Sequence, residues 1–216
     1  MDNLFSDAIK SFYSEEQYIK IISARIAVAG AGGIGSNCAH ALIRCGFEKM
    51  LIADFDTVSA KNLNRQMFFH DQIGKPKVDC LKKNLLRINP RAQIQASCTR
   101  IERDNIHELF DKYDIIIEAF DNPECKSMLV EEFMGSGKLI VSVSGIGGFG
   151  DAEKIVTRKI HPDFYIVGDG ISEVNDSVKP YAPMVLTAAA KQADIVLSWV
   201  LGKPVSIREN SRNDIC

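Results

Sequence analysis

Apolar residues follow two rhythms along this chain. Before residue 26 they recur at helical spacing, with Phe5, Ala8, Ile9 and Phe12 in one segment and Tyr18, Ile19 and Ile22 in a second. Ser14 followed by Gln17 reads as a capping box opening the second segment. Both stripes are expected to be buried, within the fold or at a dimer interface. From Ile26 onward short apolar runs alternate with amphipathic stretches. "RIAVAG" and "YDIIIEAFD" are apolar on both faces, as buried parallel strands are. "KMLIADFD", "AQIQASCTRI" and "KLIVSVSGIG" also read as strands, and "EKIVTRKI" is a further candidate. Between them, "GSNCAHALIRCG" is a helix ended by Gly46, and "KPKVDCLKKNLLRIN" one stopped by Asn89 and Pro90. Arg103 to Asp111 is a short helix, "NPECKSMLVEEFM" carries Pro123 in its first turn, and "MVLTAAAKQADIVLSWVLG" closes the chain.

This alternation predicts an α/β fold: one Rossmann-like, doubly wound domain with a mostly parallel sheet and helices on both faces. Residues 1–25 form an N-terminal helical segment, 26–202 the domain, and 203–216 a tail. Residues 161–183, with Gly168, Gly170, Pro180 and Pro183, read as a loop before the last helix. Ligands in such folds sit beyond the carboxyl ends of the strands, so Gly30, Asp54, Asp121 and Gly145 are expected to converge.

Composition narrows the field. The 216 residues suffice for one sizeable core, and the formal net charge of −2 gives no reason to expect nucleic acid or an anionic membrane as partner. No apolar run approaches the roughly 20 residues that span a bilayer. No signal peptide is evident at the N-terminus, which makes the cytoplasm the default compartment. The 6 cysteines (Cys38, Cys45, Cys80, Cys98, Cys125 and Cys216) include no C-x-x-C pair, so they read as reduced thiols and no zinc is expected.

The chemistry begins at Gly30, Gly32 and Gly35, a G-x-G-x-x-G with Gly33 added, between a strand and a helix. Such a loop lets backbone approach phosphate, and the helix N-terminus attracts an anion. A carboxylate at Asp54, ending the second strand, suits ribose hydroxyls. These two features alone fit NAD as well as ATP. The long connection that follows separates them. Asn62, Arg65, Gln66, Lys75 and Lys77 collect cationic and polar groups beside the ribose carboxylate, where a triphosphate needs them and a dehydrogenase does not unless it binds a 2′-phosphate. A solvated basic loop is the alternative. In "EAFDN", Asp121 either helps hold Mg²⁺ or caps the helix that follows, and Asn122 is a second capping candidate.

"GAGGIGSN", "DFDTVSAKNLNRQ", "GKPK", "INP" and "FDN" together resemble the ThiF/MoeB/HesA group of the ubiquitin-activating-enzyme superfamily, over Ile26 to Gly202. The likeness is nearest to short ThiF-like proteins. It implies adenylation: the C-terminal glycine carboxylate of a small ubiquitin-like sulfur carrier attacks the α-phosphate of Mg-ATP, releasing pyrophosphate. By that resemblance Gly32, Gly33 and Gly35 would line the phosphates and Asp54 the ribose. Asn62, Arg65 and Lys77 would contact phosphates and act in catalysis, and Asp121 would bind Mg²⁺, with Asn122 beside it. It also implies a ThiS-like carrier in thiamine thiazole synthesis, and a homodimer. A MoaD-type carrier or a non-catalytic module on the same scaffold are alternatives, with a nicotinamide oxidoreductase further off.

Three features depart from the group. Residues 1–24 contain no arginine that could reach a dimer partner's ATP, zinc-binding cysteine pairs are absent, and residues 126–215 contain no cysteine for thioester or persulfide chemistry. Cys216 has no visible activating neighbour. The carrier tail would run under 161–183, against Phe149, Phe164, Tyr165, Tyr181 and Met184, unless these anchor the loop from inside.

Overall fold

The computed structural model describes residues 4–172, 174–175 and 177–207. In chain order its elements are α1 (Leu4–Lys10), α2 (Glu15–Ser23), β1 (Arg25–Ala29), α3 (Gly33–Arg44), β2 (Lys49–Ala53), α4 (Lys77–Leu86) and β3 (Gln93–Ser97). There follow α5 (Ile106–Phe110), β4 (Ile115–Glu118), α6 (Pro123–Phe133), β5 (Leu139–Val143), β6 (Val156–His161), β7 (Phe164–Gly168) and α7 (Ala182–Val200). The seven strands form one sheet in the order β3-β2-β1-β4-β5-β7-β6. All pairs are parallel except β6 with β7.

Alternate residues of each central strand serve opposite faces. Ile26, Val28, Met50, Ile52, Ile115 and Ile117 join the core under α3, α4 and α7. Ala27, Ala29, Leu51, Ile116 and Ile140 join a second core with Ile106 and Phe110 of α5 and Leu129 and Phe133 of α6. Each large side chain removed from water this way contributes about 1.5–3 kcal/mol, and the two layers explain why these strands are apolar throughout. The order reverses direction at β1, whose neighbours are β2 on one side and β4 on the other. A crevice opens beyond the strands' carboxyl ends at such a reversal.

Three expectations need correction. Residues 161–183 are not all loop, because Phe164 to Gly168 form β7, parallel to β5. Phe164, Tyr165 and Met184 are accordingly core residues, and only Phe149 and Tyr181 of the expected docking set are exposed. The N-terminal stripes are only partly buried, with Phe5, Ile9, Tyr18 and Ile22 half-buried. Phe12 and Ile19 are exposed while Ile21 is fully buried. The Ser14 capping box does form, with Gln17 N–H donating to Ser14 Oγ at 3.2 Å and Ser14 N–H to Gln17 Oε1 at 3.0 Å. Residues 203–207 have no regular structure, and the rest of the expected tail, with Cys216, lies outside the described residues.

Candidate nucleotide site

The glycine loop is shaped by contacts that leave no room for side chains. Gly30 has φ +103°, and a Cβ there would lie 2.8 Å from the Ala119 carbonyl oxygen at the end of β4. A Cβ on Gly35 would sit 1.8 Å from the Gly30 carbonyl oxygen, so α3 packs directly on the loop. Gly32 is the N-cap residue of α3 and has no side chain to satisfy the first N–H groups, leaving them for an anion. Asp54 ties this loop to β2. Its Oδ2 accepts the Ala31 N–H at 2.6 Å and its Oδ1 the Asp56 N–H at 2.7 Å. Gly145 packs against Asp169, Gly170 and Ile171.

The connection after β2 is pinned over α3. Asn37 Nδ2 donates to the carbonyls of Gly33 at 2.7 Å and Arg65 at 2.8 Å. Ser36 Oγ accepts the Met67 N–H at 3.1 Å. These bonds bring Arg65 beside the loop, with its Cγ 3.6 Å from where a Gly33 Cβ would be. The guanidinium bonds Asn64 Oδ1 at 2.8 Å and the Lys61 carbonyl at 3.4 Å, but no carboxylate pairs with it among the described residues. Burial pulls its pKa down from the ordinary guanidinium value, and the nearby charge of Asp121 opposes that shift. A half-buried guanidinium with no carboxylate bonded to it is able to receive an anion.

Asp121 is exposed and makes no hydrogen bond or ion pair among the described residues. It does not cap α6. Asn122 does, its Oδ1 accepting from Glu124 N–H at 2.7 Å and Cys125 N–H at 3.2 Å. Asn122, expected among the cofactor ligands, therefore has its acceptor committed to the helix, while Asp121 is left free for a cation. Asn62 is buried in a 3₁₀ turn, Ala60–Asn62, where its Oδ1 accepts the Ser59 N–H at 3.0 Å. Lys77, 5% exposed at the start of α4, donates to Asp56 Oδ2 at 2.6 Å, so its ammonium already has an anion. Lys75 Nζ donates to the Asp71 carbonyl at 2.7 Å.

Gln66 and Asn37 lie within the quoted motifs, but their roles come from the structure. Gln66 is 8% exposed, its Oε1 has no hydrogen-bond partner, and its Nε2 is the atom nearest to a Cβ built on Gly32, at 3.9 Å. A buried amide with an orphaned oxygen beside a helix N-terminus marks a place where a polar ligand belongs. The Gln66 Nε2 donor beside Gly32, the loop that would be filled by any Cβ, Arg65 without a bonded carboxylate and Asp121 together fit a magnesium-bound nucleotide phosphate chain. Burial pushes the Cys38, Cys45 and Cys80 thiols up, away from the thiolate form.

Residues 5–213 match the ThiF family. The chain belongs to that family. Among curated relatives of this ThiF-family chain, "Adenylyltransferase and sulfurtransferase UBA4" of Eremothecium gossypii is 34% identical over 131 residues, 60% of this chain and 29% of the relative. "tRNA threonylcarbamoyladenosine dehydratase 1" of Saccharomyces cerevisiae is 32% identical over 167 residues, 74% of this chain and 39% of the relative. The chain thus spans well under half of both. Among solved structures, Escherichia coli tRNA N6-threonylcarbamoyladenosine dehydratase, TcdA, in complex with ATP superposes with a TM-score of 0.82 at 21% identity, covering 91% of this chain and 93% of that one. E. coli MccB with ATP gives 0.69 at 21% identity, covering 89% and 61%. These establish that the ThiF-family fold is shared. No helix among the described residues is long and apolar enough to cross a membrane.

Proposed function

We propose that this chain is an ATP-dependent adenylyltransferase that activates the C-terminal glycine carboxylate of a ThiS-like, ubiquitin-fold sulfur carrier, in thiazole synthesis for thiamine. Arg65 carries the reading: a half-buried guanidinium without a carboxylate, held against the glycine loop and opposite Asp121. The ATP complexes of TcdA and MccB, which share this fold, support the nucleotide. The name of the UBA4 relative supports adenylation.

In this reading the α3 N–H groups and Gln66 receive phosphate oxygens, and Asp54 orients the ribose. Mg²⁺, when bound, supplies charge neutralisation between phosphate oxygens, and Asp121 is the residue to hold it. The carrier carboxylate is already a nucleophile at neutral pH, so no base is required. It forms a bond to the α-phosphorus as the bond to the β-phosphate bridge breaks, and pyrophosphate leaves. Arg65 offsets the charge growing on that leaving group, and Lys77 joins it by exchanging Asp56 for phosphate. The exposed Phe149 and Tyr181 rings, 5.0 Å apart edge to face, border the approach beside α7.

Carrier-dependent ATP–pyrophosphate exchange tests this. Exchange is expected with a Gly-Gly-ended carrier, and Arg65→Ala is expected to lower it by about 10²–10³-fold with an unchanged circular dichroism spectrum. Absence of exchange with ThiS-like and MoaD-like carriers alike overturns it. One observation favours a second reading: TcdA matches this chain almost end to end. Dehydration of a modified tRNA adenosine would then be the activity. The net charge of −2 weighs against a tRNA partner. ATP consumption that depends on modified tRNA and not on a carrier would establish it instead.

A further inference from the structure

We propose that Lys126 is a positioning residue. Through the buried carboxylate of Glu118 it fixes the short connection that carries Asp121, and so sets how strongly the site takes a divalent cation. This rests on the reading of Asp121 as the metal residue and extends it to the charge pair of Glu118 and Lys126.

Glu118 ends β4 and is fully buried. An ionised carboxylate there needs a counter-charge and a full set of donors. It has them. Lys126 Nζ lies 3.0 Å from Oε1 and 3.1 Å from Oε2, the Phe120 N–H donates to Oε1 at 2.7 Å, and Ser142 Oγ of β5 donates to Oε2. Gln192 of α7 braces the same strand end, donating to the carbonyls of Glu118 at 3.3 Å and Val141 at 3.1 Å.

These bonds span the connection from β4 to α6. Ala119 N–H is tied to the Ala29 carbonyl at 2.9 Å, Phe120 to the Glu118 carboxylate, and Asn122 caps α6. Lys126, in the early part of α6, returns to that carboxylate. Asp121 alone has no bond of its own, so its place is inherited from its neighbours. Lys126 differs from Arg65 in kind. Both oxygens of Glu118 engage its ammonium, which makes it a strut and not a spare cation for phosphate. Without it, Glu118 keeps two neutral donors and loses its counter-charge. The buried carboxylate must then rearrange, and because the Phe120 N–H is bonded to it, that change moves the Phe120–Asp121 backbone.

The test is calorimetric binding of ATP with and without Mn²⁺, which reads the metal without turnover. In the parent protein Mn²⁺ is expected to tighten ATP binding. Lys126→Met is expected to weaken Mn·ATP binding by about tenfold, the size of effect typical when a ligand's supporting partner is removed. Its metal-free ATP affinity should stay within about twofold, a split that general loosening would not give. Lys126→Arg should restore the metal effect. Should Lys126→Met not fold, the double variant Glu118→Gln/Lys126→Met removes the buried charge and carries the same test. The proposal fails if Mn·ATP affinity is unchanged in Lys126→Met, or if affinities with and without metal fall together. Asp121→Asn separates the two layers. If it leaves the metal effect intact, the metal reading and the proposal fall together. If it abolishes the effect and Lys126→Met does not, only the proposal falls.

Discussion

Single residues here differ less in type than in what already satisfies them. Lys77 and Arg65 come from neighbouring motifs, yet Lys77 is buried and paired while Arg65 bonds no carboxylate among the described residues. The Lys77–Asp56 pair is lopsided, since the lysine side chain is 6% exposed and the aspartate 49%. Removing the lysine strands an aspartate that water can solvate. Removing the aspartate strands a buried ammonium. Asp56→Ala is therefore expected to cost about 3 kcal/mol in denaturant unfolding, and Lys77→Met under about 1. Nucleotide phosphate would replace the lost anion, so ATP should raise the melting temperature of Asp56→Ala more than that of the parent. Equal shifts would show that Lys77 never meets phosphate. Gly35→Ala is expected to cost about 3 kcal/mol or more, because its methyl would overlap the Gly30 carbonyl and backbone cannot yield cheaply.

At the scale of elements, caps and cross-links decide which segments stay ordered. Asn122→Ala is expected to cost about 1 kcal/mol in thermal unfolding, by leaving the Glu124 and Cys125 N–H groups without their acceptor. On the far side of α6, His107 of α5 bridges Asp111 and Glu132, and Arg103 shares Glu132. Hydrogen bonds to Asp111 and then Glu132 raise the His107 pKa above its ordinary 6.5. The folded state thus holds the proton more tightly than the unfolded chain. That stabilisation is complete below about pH 6.5 and is lost as pH climbs through the raised value. His107→Gln should flatten the fall in stability across that window, as read by urea titrations at several pH values.

The elements were largely legible in the residues, because strands buried on both faces and capped helices leave strong local patterns. What escaped was set by partners distant in sequence. Phe164 to Gly168 became a strand because β5 offered an edge, and glycines around it had suggested a loop. The buried stripe of the first helices could not be known without the surface they pack on. In the site, the glycines, Asp54 and Arg65 announced themselves. The choice of Asn122 over Asp121 as the cap, the orphaned Gln66 oxygen and the Glu118–Lys126 strut depend on angles and burial that no spacing encodes.

The whole molecule places its site at one seam. A ThiF-family sheet reverses at β1, and Gly30 is hemmed by the Ala53 carbonyl, which accepts its N–H, and the Ala119 carbonyl. Because the proposed ligand touches both halves and not one, saturating ATP should raise a single, cooperative unfolding transition as a unit. Two transitions, with only one shifted, would contradict this.

That seam also carries a consequence for how the protein is made. The glycine loop leaves the ribosome early, but its far wall arrives with Ala119, and Val185, whose Cγ1 lies 3.0 Å from where a Gly33 Cβ would be, arrives later still. A nascent or truncated chain holds every phosphate-facing glycine and still lacks the chamber. Nucleotide capture would then act as a certificate of completed folding, awarded only once α7 has docked on α3.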